Sequence, residues 1–263
     1  FSLIFLLGQI LEEKMQIETA IKAYRKIDIL TPYGWYARLN LAESYWGIEQ
    51  TPKALGILRR MVRERPKRSD AARLMGDILR INERYRDSVI AYDKAMHRAN
   101  QKIDWRLYYS RGISLERSKK WTRAETDFLK ALELEPDQPY VLNYLGYSWI
   151  EQKKNLVRAK KMIEKAVKQR PQDGYIIDSL GWALYRLGDY LGAVVHLERA
   201  VLLEPGDPVI NNHLGDAYWL ANRRLEARFQ WKRSLSQQLR GNEKFITLDK
   251  LKGKKLPTPL PVS

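Results

Sequence analysis

Residues 174–207 read GYIIDSLGWALYRLGDYLGAVVHLERAVLLEPGD, and residues 208–240 read PVINNHLGDAYWLANRRLEARFQWKRSLSQQLR. When Gly181 is aligned with Gly215, an alanine follows twelve positions later in both stretches, and a large side chain follows four positions after that. The small-residue column recurs along the whole chain at intervals of 34, 34, 36, 34, 35 and 34 residues, and it is filled by Gly8, Ala42, Gly76, Gly112, Gly146, Gly181 and Gly215. A coiled coil or an ordinary helical bundle does not predict a recurrence of this length.

The spacing of these columns predicts two amphipathic helices in each repeat, joined by a short turn such as Leu187–Gly188–Asp189. The small residue lets the first helix (helix A) approach the second (helix B), and the alanine does the same from helix B. Since one repeat cannot bury its own apolar face, the repeats are expected to stack into a solenoid. Proline closes five of the repeats, at Pro32, Pro66, Pro136, Pro171 and Pro205.

The pattern resembles the tetratricopeptide repeat (TPR), a motif of about 34 residues with the form W-x₂-L-G-x₂-Y, then A-x₃-F, then P. The resemblance implies an all-α, right-handed superhelix of helix–turn–helix repeats. Repeat 3 departs from the motif, with two extra residues and Asn100 at the proline position, and repeat 5 has one extra residue near Lys153–Asn155. Seven repeats fit, numbered 1 to 7 in chain order: 1–34, 35–68, 69–104, 105–138, 139–173, 174–207 and 208–240.

The two ends of the chain differ from the repeats between them. The first helix is apolar nearly all round from Phe1 to Leu11, so we expect it to be buried on more than one side, by further repeats or by a partner. Because the sequence begins at Phe1 and not at a methionine, a longer natural chain is expected, with any signal peptide or lipid anchor upstream. Residues 241–263 are predicted to be a capping segment followed by a basic, proline-rich tail.

The composition limits the chemistry that the chain can carry. Lys plus Arg number 47 against 31 for Asp plus Glu, a formal charge of +16, and the absence of cysteine excludes disulfides, thiol catalysis and cysteine-bound metal. The sequence has no phosphate-binding Gly-x₄-Gly-Lys-Ser/Thr loop and no His-Glu-x-x-His pair. We therefore expect a protein that is not an enzyme, acts on no small-molecule substrate, and uses no cofactor or metal.

In the TPR family, helix A lines the binding groove, mostly through repeat positions 2, 5, 9 and 12. In repeats 4 to 7 these positions carry many aromatic residues, which give a large contact area at low entropy cost, and Asn, which can both donate and accept hydrogen bonds. Packing between neighbouring helices is the alternative role, above all for Tyr185 and Trp219. The predicted protein-binding residues are Tyr109, Tyr140, Asn143, Tyr147, Tyr175, Asp178, Trp182, Tyr185, Asn212, Asp216 and Trp219.

Positive charge concentrates on helix B, or on its flanking turns, in two repeats. The outward-facing helices B of this family are more often a solvated surface than a nucleic-acid site, and we favour that interpretation. Binding of nucleic acid or another anionic polymer is the alternative. The clusters are Arg59, Arg60, Arg63, Arg65, Lys67 and Arg68 in repeat 2, and Lys153, Lys154, Arg158, Lys160, Lys161, Lys165 and Lys168 in repeat 5.

The last repeats carry a narrower resemblance. The stretches DSLGWALYRLG (178–188), EPGDPVINNHLGDAYW (204–219) and EARFQW (226–231) are similar to those of proteobacterial outer-membrane TPR lipoproteins that partner periplasmic carboxyl-terminal processing proteases. The resemblance implies a non-catalytic adaptor that brings such a protease and its cell-wall hydrolase substrates together. It also implies a location in the bacterial periplasm at the outer membrane, with the cytoplasm as the alternative. A scaffold for envelope polysaccharide assembly is a further alternative.

Overall fold

The computed structural model describes residues 2–98 and 103–259, except for the side chain of Arg98. Phe1, Asn100 and the end of the proline-rich tail (260–263) lie outside the described residues. Every regular element in the described part is an α-helix, so the predicted all-α class is confirmed. No helix in these ranges is both long enough and apolar enough to cross a membrane. The chain divides into two compact units, Phe1–Leu134 (the N-terminal unit) and Glu135–Ser263 (the C-terminal unit).

The N-terminal unit consists of four helical hairpins. The chain turns between the helices of each hairpin at a residue with a positive φ, namely Met15, Glu49, Glu83 and Lys119, although none of them is a glycine. Each hairpin corresponds to one predicted repeat, helix A followed by helix B. The helices are α1 (Ser2–Glu13), α2 (Ile17–Arg25), α3 (Gly34–Gly47), α4 (Thr51–Glu64), α5 (Asp70–Ile81), α6 (Tyr85–Arg98), α7 (Trp105–Arg117) and α8 (Trp121–Leu134).

In the N-terminal unit, the two helices of a hairpin approach each other most closely at a residue of the small-residue column, as Gly76 shows. A Cβ atom on Gly76 would lie only 2.5 Å from the ring of Tyr92, which is fully buried on α6. The Tyr92 hydroxyl donates to Asp77 over 2.7 Å, so the ring is fixed in place against the glycine. Only glycine allows α5 and α6 to approach this closely. On α1, by contrast, the side chains of Leu3 and Leu6 are exposed.

The C-terminal unit has three hairpins followed by one more helix. Aspartate caps the start of several helices, since Asp173 and Asp207 accept hydrogen bonds from backbone N–H groups in the first turns of α11 and α13. The turn within repeat 5 contains two residues with positive φ, Lys153 and Asn155. The helices are α9 (Pro139–Glu151), α10 (Leu156–Gln169), α11 (Gly174–Arg186), α12 (Tyr190–Leu203), α13 (Pro208–Leu220), α14 (Arg224–Ser236) and α15 (Gly241–Leu251).

Candidate functional site

Helices α9, α11 and α13 are the helices A of repeats 5, 6 and 7, and neighbouring members of this set pack side by side in the C-terminal unit. These three helices carry ten of the eleven predicted binding residues, and we call the surface that they share the helix-A face. The eleventh, Tyr109, belongs to α7 of the N-terminal unit, where it is partly buried with its ring 6.2 Å from that of Phe128. The structure thus places the predicted residues of repeats 5 to 7 on adjacent helices.

Two of the predicted tyrosines line one groove. Tyr140, at the start of α9, and Tyr175, at the start of α11, are 39% and 56% exposed. Together with Arg170 and Glu204 they border a groove of about 520 Å³. Partial burial, with the nearby Asp207 and Glu204 carboxylates, raises the pKa of Tyr175, so its hydroxyl remains a hydrogen-bond donor at neutral pH.

Trp182 stands at the centre of the helix-A face in a stack of three rings. Its indole lies 4.0 Å from the ring of His213 and 4.7 Å from that of Tyr185, with interplanar angles of 17° and 12°. Its Nε1 donates to Glu151 over 2.7 Å, and Arg186 donates to the same carboxylate oxygen over 2.6 Å. These contacts fix the orientation of an indole that is still partly exposed.

His213 was not among the predicted site residues, yet it forms one side of this stack. Its Nδ1 lies 2.9 Å and 3.1 Å from the two carboxylate oxygens of Asp178, and both side chains are buried. Burial alone would lower the pKa of His213, but the carboxylates of Asp178, Asp216 and Glu151, with Asp178 the strongest of them, together raise it. The one available signal is the spacing, since His213 follows Asp178 by 35 residues, about one repeat.

Helix α15 covers two predicted residues of α13. The buried Lys250 ammonium lies 2.6 Å and 2.7 Å from the oxygens of Asp216, which also accepts from Trp231 Nε1 over 2.8 Å. Thr247 donates to the Asn212 side-chain oxygen over 3.0 Å. The carboxylate of Asp216 and the amide of Asn212 are therefore bound within the unit.

The predicted residues thus divide by exposure. Tyr185, Asp178, Asn212 and Asp216 are buried, and their contacts lie inside the C-terminal unit. Tyr140, Asn143, Tyr147, Tyr175, Trp182 and Trp219 are exposed or partly exposed. The side-chain oxygen of Asn143 is buried, and no donor among the described residues bonds to it. A partner contact at any of these residues stays a prediction.

The comparison with family models identifies the class of protein. The model described as "Tetratricopeptide repeat" matches residues 39–102, 109–174 and 179–237, which is well over half of the chain. The chain therefore belongs to the tetratricopeptide repeat family. Repeats of this family are scaffolds for protein–protein interaction, generally without catalysis, and they indicate protein partners.

Solved structures share the fold at low sequence identity. A tetratricopeptide repeat protein from Parabacteroides merdae is 13% identical with a TM-score of 0.72, covering 95% of this chain and 97% of its own. A chain of the APC/C Cut9–Hcn1 hetero-tetramer is 16% identical with a TM-score of 0.71, and this protein spans only 45% of that chain. YrrB, a TPR protein with an unusual peptide-binding site, is 17% identical with a TM-score of 0.52, covering 74% and 97%. No curated protein sequence is a significant match.

Proposed function

We propose that the C-terminal unit binds a segment of a partner protein on the helix-A face, with Trp182 as the anchor. The observation that carries this proposal is the state of Trp182, which is held by His213, Tyr185 and Glu151 while part of its ring meets solvent. An aromatic ring that is already fixed loses little conformational entropy when a partner packs on it.

We further propose that this partner is a carboxyl-terminal processing protease of the bacterial periplasm, and that the protein is an outer-membrane adaptor presenting cell-wall hydrolases to it. The support is the resemblance of residues 178–188, 204–219 and 226–231 to adaptors of that kind. These stretches supply all three rings of the Trp182 stack, together with Asp178 and Asp216. The stretches that carry the resemblance therefore include the centre of the proposed site, whereas Tyr147 and Glu151 lie outside them.

The test is an affinity pull-down from a bacterial envelope extract, with mass-spectrometric identification of what is retained. The wild-type protein is compared with a Trp182→Ala/Tyr147→Ala double variant. Phe229→Ala is the matched control, because Phe229 is an exposed aromatic residue of the same unit on α14, a helix B. We expect a processing protease and a hydrolase to be retained by the wild type and the control and lost by the double variant.

Three results would contradict the proposal in whole or in part. Equal retention of the same proteins by all three forms would remove the helix-A face as the site. Retention of nucleic acid or an anionic polymer by all forms, released by moderate salt, would favour the basic helix B surfaces instead. If the wild type retains other proteins and the double variant does not, the helix-A face is a binding site but the protease is not its partner.

A further inference from the structure

A second groove, in the N-terminal unit, lies between α2, α3 and α4 and has a volume of about 590 Å³. Helix α2 has nine residues, whereas α4 has fourteen, so α2 ends before it covers the sides of α3 and α4. The exposed side chain of Ile29 follows the end of α2 at the edge of this opening. The groove is built from helices B of repeats 1 and 2 and from helix A between them, so it is separate from the helix-A face of the C-terminal unit.

The groove is strongly cationic. Four basic side chains line it, Arg25, Arg38, Lys53 and Arg60, against one carboxylate, Glu64. Arg38 pairs with Glu64 over 2.6 Å, and this hydrogen bond holds the pKa of Glu64 below its usual range. Arg25, Lys53 and Arg60 form no ion pair with any residue that the structure describes. The Nε of Arg38 is buried without a hydrogen-bond acceptor in the same part of the chain.

The floor of the groove is apolar. Leu41 of α3 and Ile57 of α4 are partly buried and line the groove, as does Ile29. The Lys53 ammonium lies 5.4 Å from the centre of the Tyr45 ring. A ligand that fits must therefore bring negative charge for the rim and an aliphatic group for the floor.

An acidic peptide meets both requirements better than a nucleic acid does. Nucleic acids bind through phosphates and through bases stacked on aromatic rings. Among the described residues, Tyr45 is the one aromatic residue that lines this groove, and Lys53 already lies beside its ring. A peptide can place carboxylates against the free cations and a leucine against Leu41 and Ile57.

We propose that the groove between α2, α3 and α4 binds an acidic segment of a partner protein, with one large aliphatic side chain on Leu41 and Ile57. Its carboxylates pair with Arg25, Lys53 and Arg60. This site goes beyond the proposed function of the helix-A face, since it lies in the other unit and takes a ligand of defined charge.

Gly56 offers a direct way to fill the groove without harming the fold. It lines the groove, and a Cβ added to it meets no atom within 4 Å. In Gly56→Glu, the new carboxylate stands one helical turn from Lys53 and Arg60 and competes with the ligand. Gly56→Gln has the same size without the charge and is the matched control.

The probe is a fluorescein-labelled peptide, Asp-Glu-Asp-Glu-Leu-Glu-Asp-Glu-Asp, followed by fluorescence anisotropy at about 0.1 M salt. We expect the wild type to bind it and Gly56→Glu to bind it about tenfold more weakly, with Gly56→Gln between the two.

Arg60→Glu should weaken binding by a similar factor. Arg59→Glu and Arg63→Glu change the same helix α4 by the same charge at exposed positions outside the groove, and should have much less effect. Replacing the peptide's leucine by alanine should weaken binding about fivefold.

Three results would overturn the proposal. The first is an absence of peptide binding by the wild type, and the second is equal weakening by Arg59→Glu, Arg63→Glu and Arg60→Glu. The third is tighter binding of a single-stranded oligonucleotide of about 20 nucleotides that Gly56→Glu abolishes. Trp182→Ala should leave peptide binding unchanged, so failure of the helix-A face and failure of this groove can be told apart.

Discussion

At the scale of single residues, the two glycines Gly76 and Gly56 provide a matched pair. A methyl group at Gly76 would press on the Tyr92 ring, which its bond to Asp77 holds in place, whereas Gly56 faces open space. We expect Gly76→Ala to lower the free energy of unfolding by about 1–3 kcal/mol through overpacking. Gly56→Ala should raise it by about 1 kcal/mol, because alanine is the better helix former. Urea denaturation of both variants checks this. Changes of the same sign in the free energy of unfolding of the two variants would contradict it.

The buried pair of His213 and Asp178 makes stability depend on pH. Because Asp178 raises the pKa of His213 in the folded state, the contribution of the pair is fully present below the unfolded pKa of about 6.5. It is lost as pH rises through the higher folded pKa. We expect the wild type to exceed His213→Gln in free energy of unfolding by more at pH values below about 6 than in mildly alkaline solution.

The measurement is urea denaturation of both proteins across this pH range. His196, whose pKa burial lowers, titrates in both proteins, so its effect cancels in the difference. A difference between the two proteins that stays constant with pH would contradict this prediction, because it would show that His213 has the same pKa in the folded and the unfolded state.

At the scale of elements, polar side chains of α15 bind α13. Phe245 is 65% exposed, while Lys250 is 4% exposed and bound to Asp216. Lys250→Met removes the charge and leaves the carboxylate of Asp216 buried without its counter-ion. We expect a loss of about 3–5 kcal/mol in the free energy of unfolding, or detachment of α15.

Lys252→Met is the control for that variant, because Lys252 is exposed at the end of the same helix, and it should change stability by no more than about 0.5 kcal/mol. Hydrogen exchange separates the two outcomes, since detachment exposes only the amides of α15. Equal stability of Lys250→Met and Lys252→Met would show that the ion pair contributes nothing to the attachment.

The sequence predicts what repeats and does not predict what joins one repeat to the next. The contact of Gly76 with Tyr92 lies within one repeat, so a column of small and large residues is enough to predict it. The pairs Asp178–His213 and Asp216–Lys250 join different elements. Their separations of 35 and 34 residues are about one repeat, but the spacing alone does not predict which polar side chains will pair. The exposure of a side chain is equally hard to predict from the sequence. Tyr175 and Tyr185 are both tyrosines on α11, yet Tyr175 is 56% exposed and Tyr185 only 6%, because Tyr185 packs against the rings of Trp182 and Tyr190.

At the scale of the whole molecule, each substantial helix–helix contact joins helices that are adjacent or next but one along the chain. Stability in such an array is a sum of repeat and neighbour contributions, so damage to one repeat should remain local. Hydrogen exchange of Gly76→Ala is the test. We expect protection to fall in α5 and α6 and in their immediate neighbours, and to be unchanged in α13 and α14. A uniform fall in protection over both units would contradict this, because it would show that the whole chain unfolds as one cooperative body.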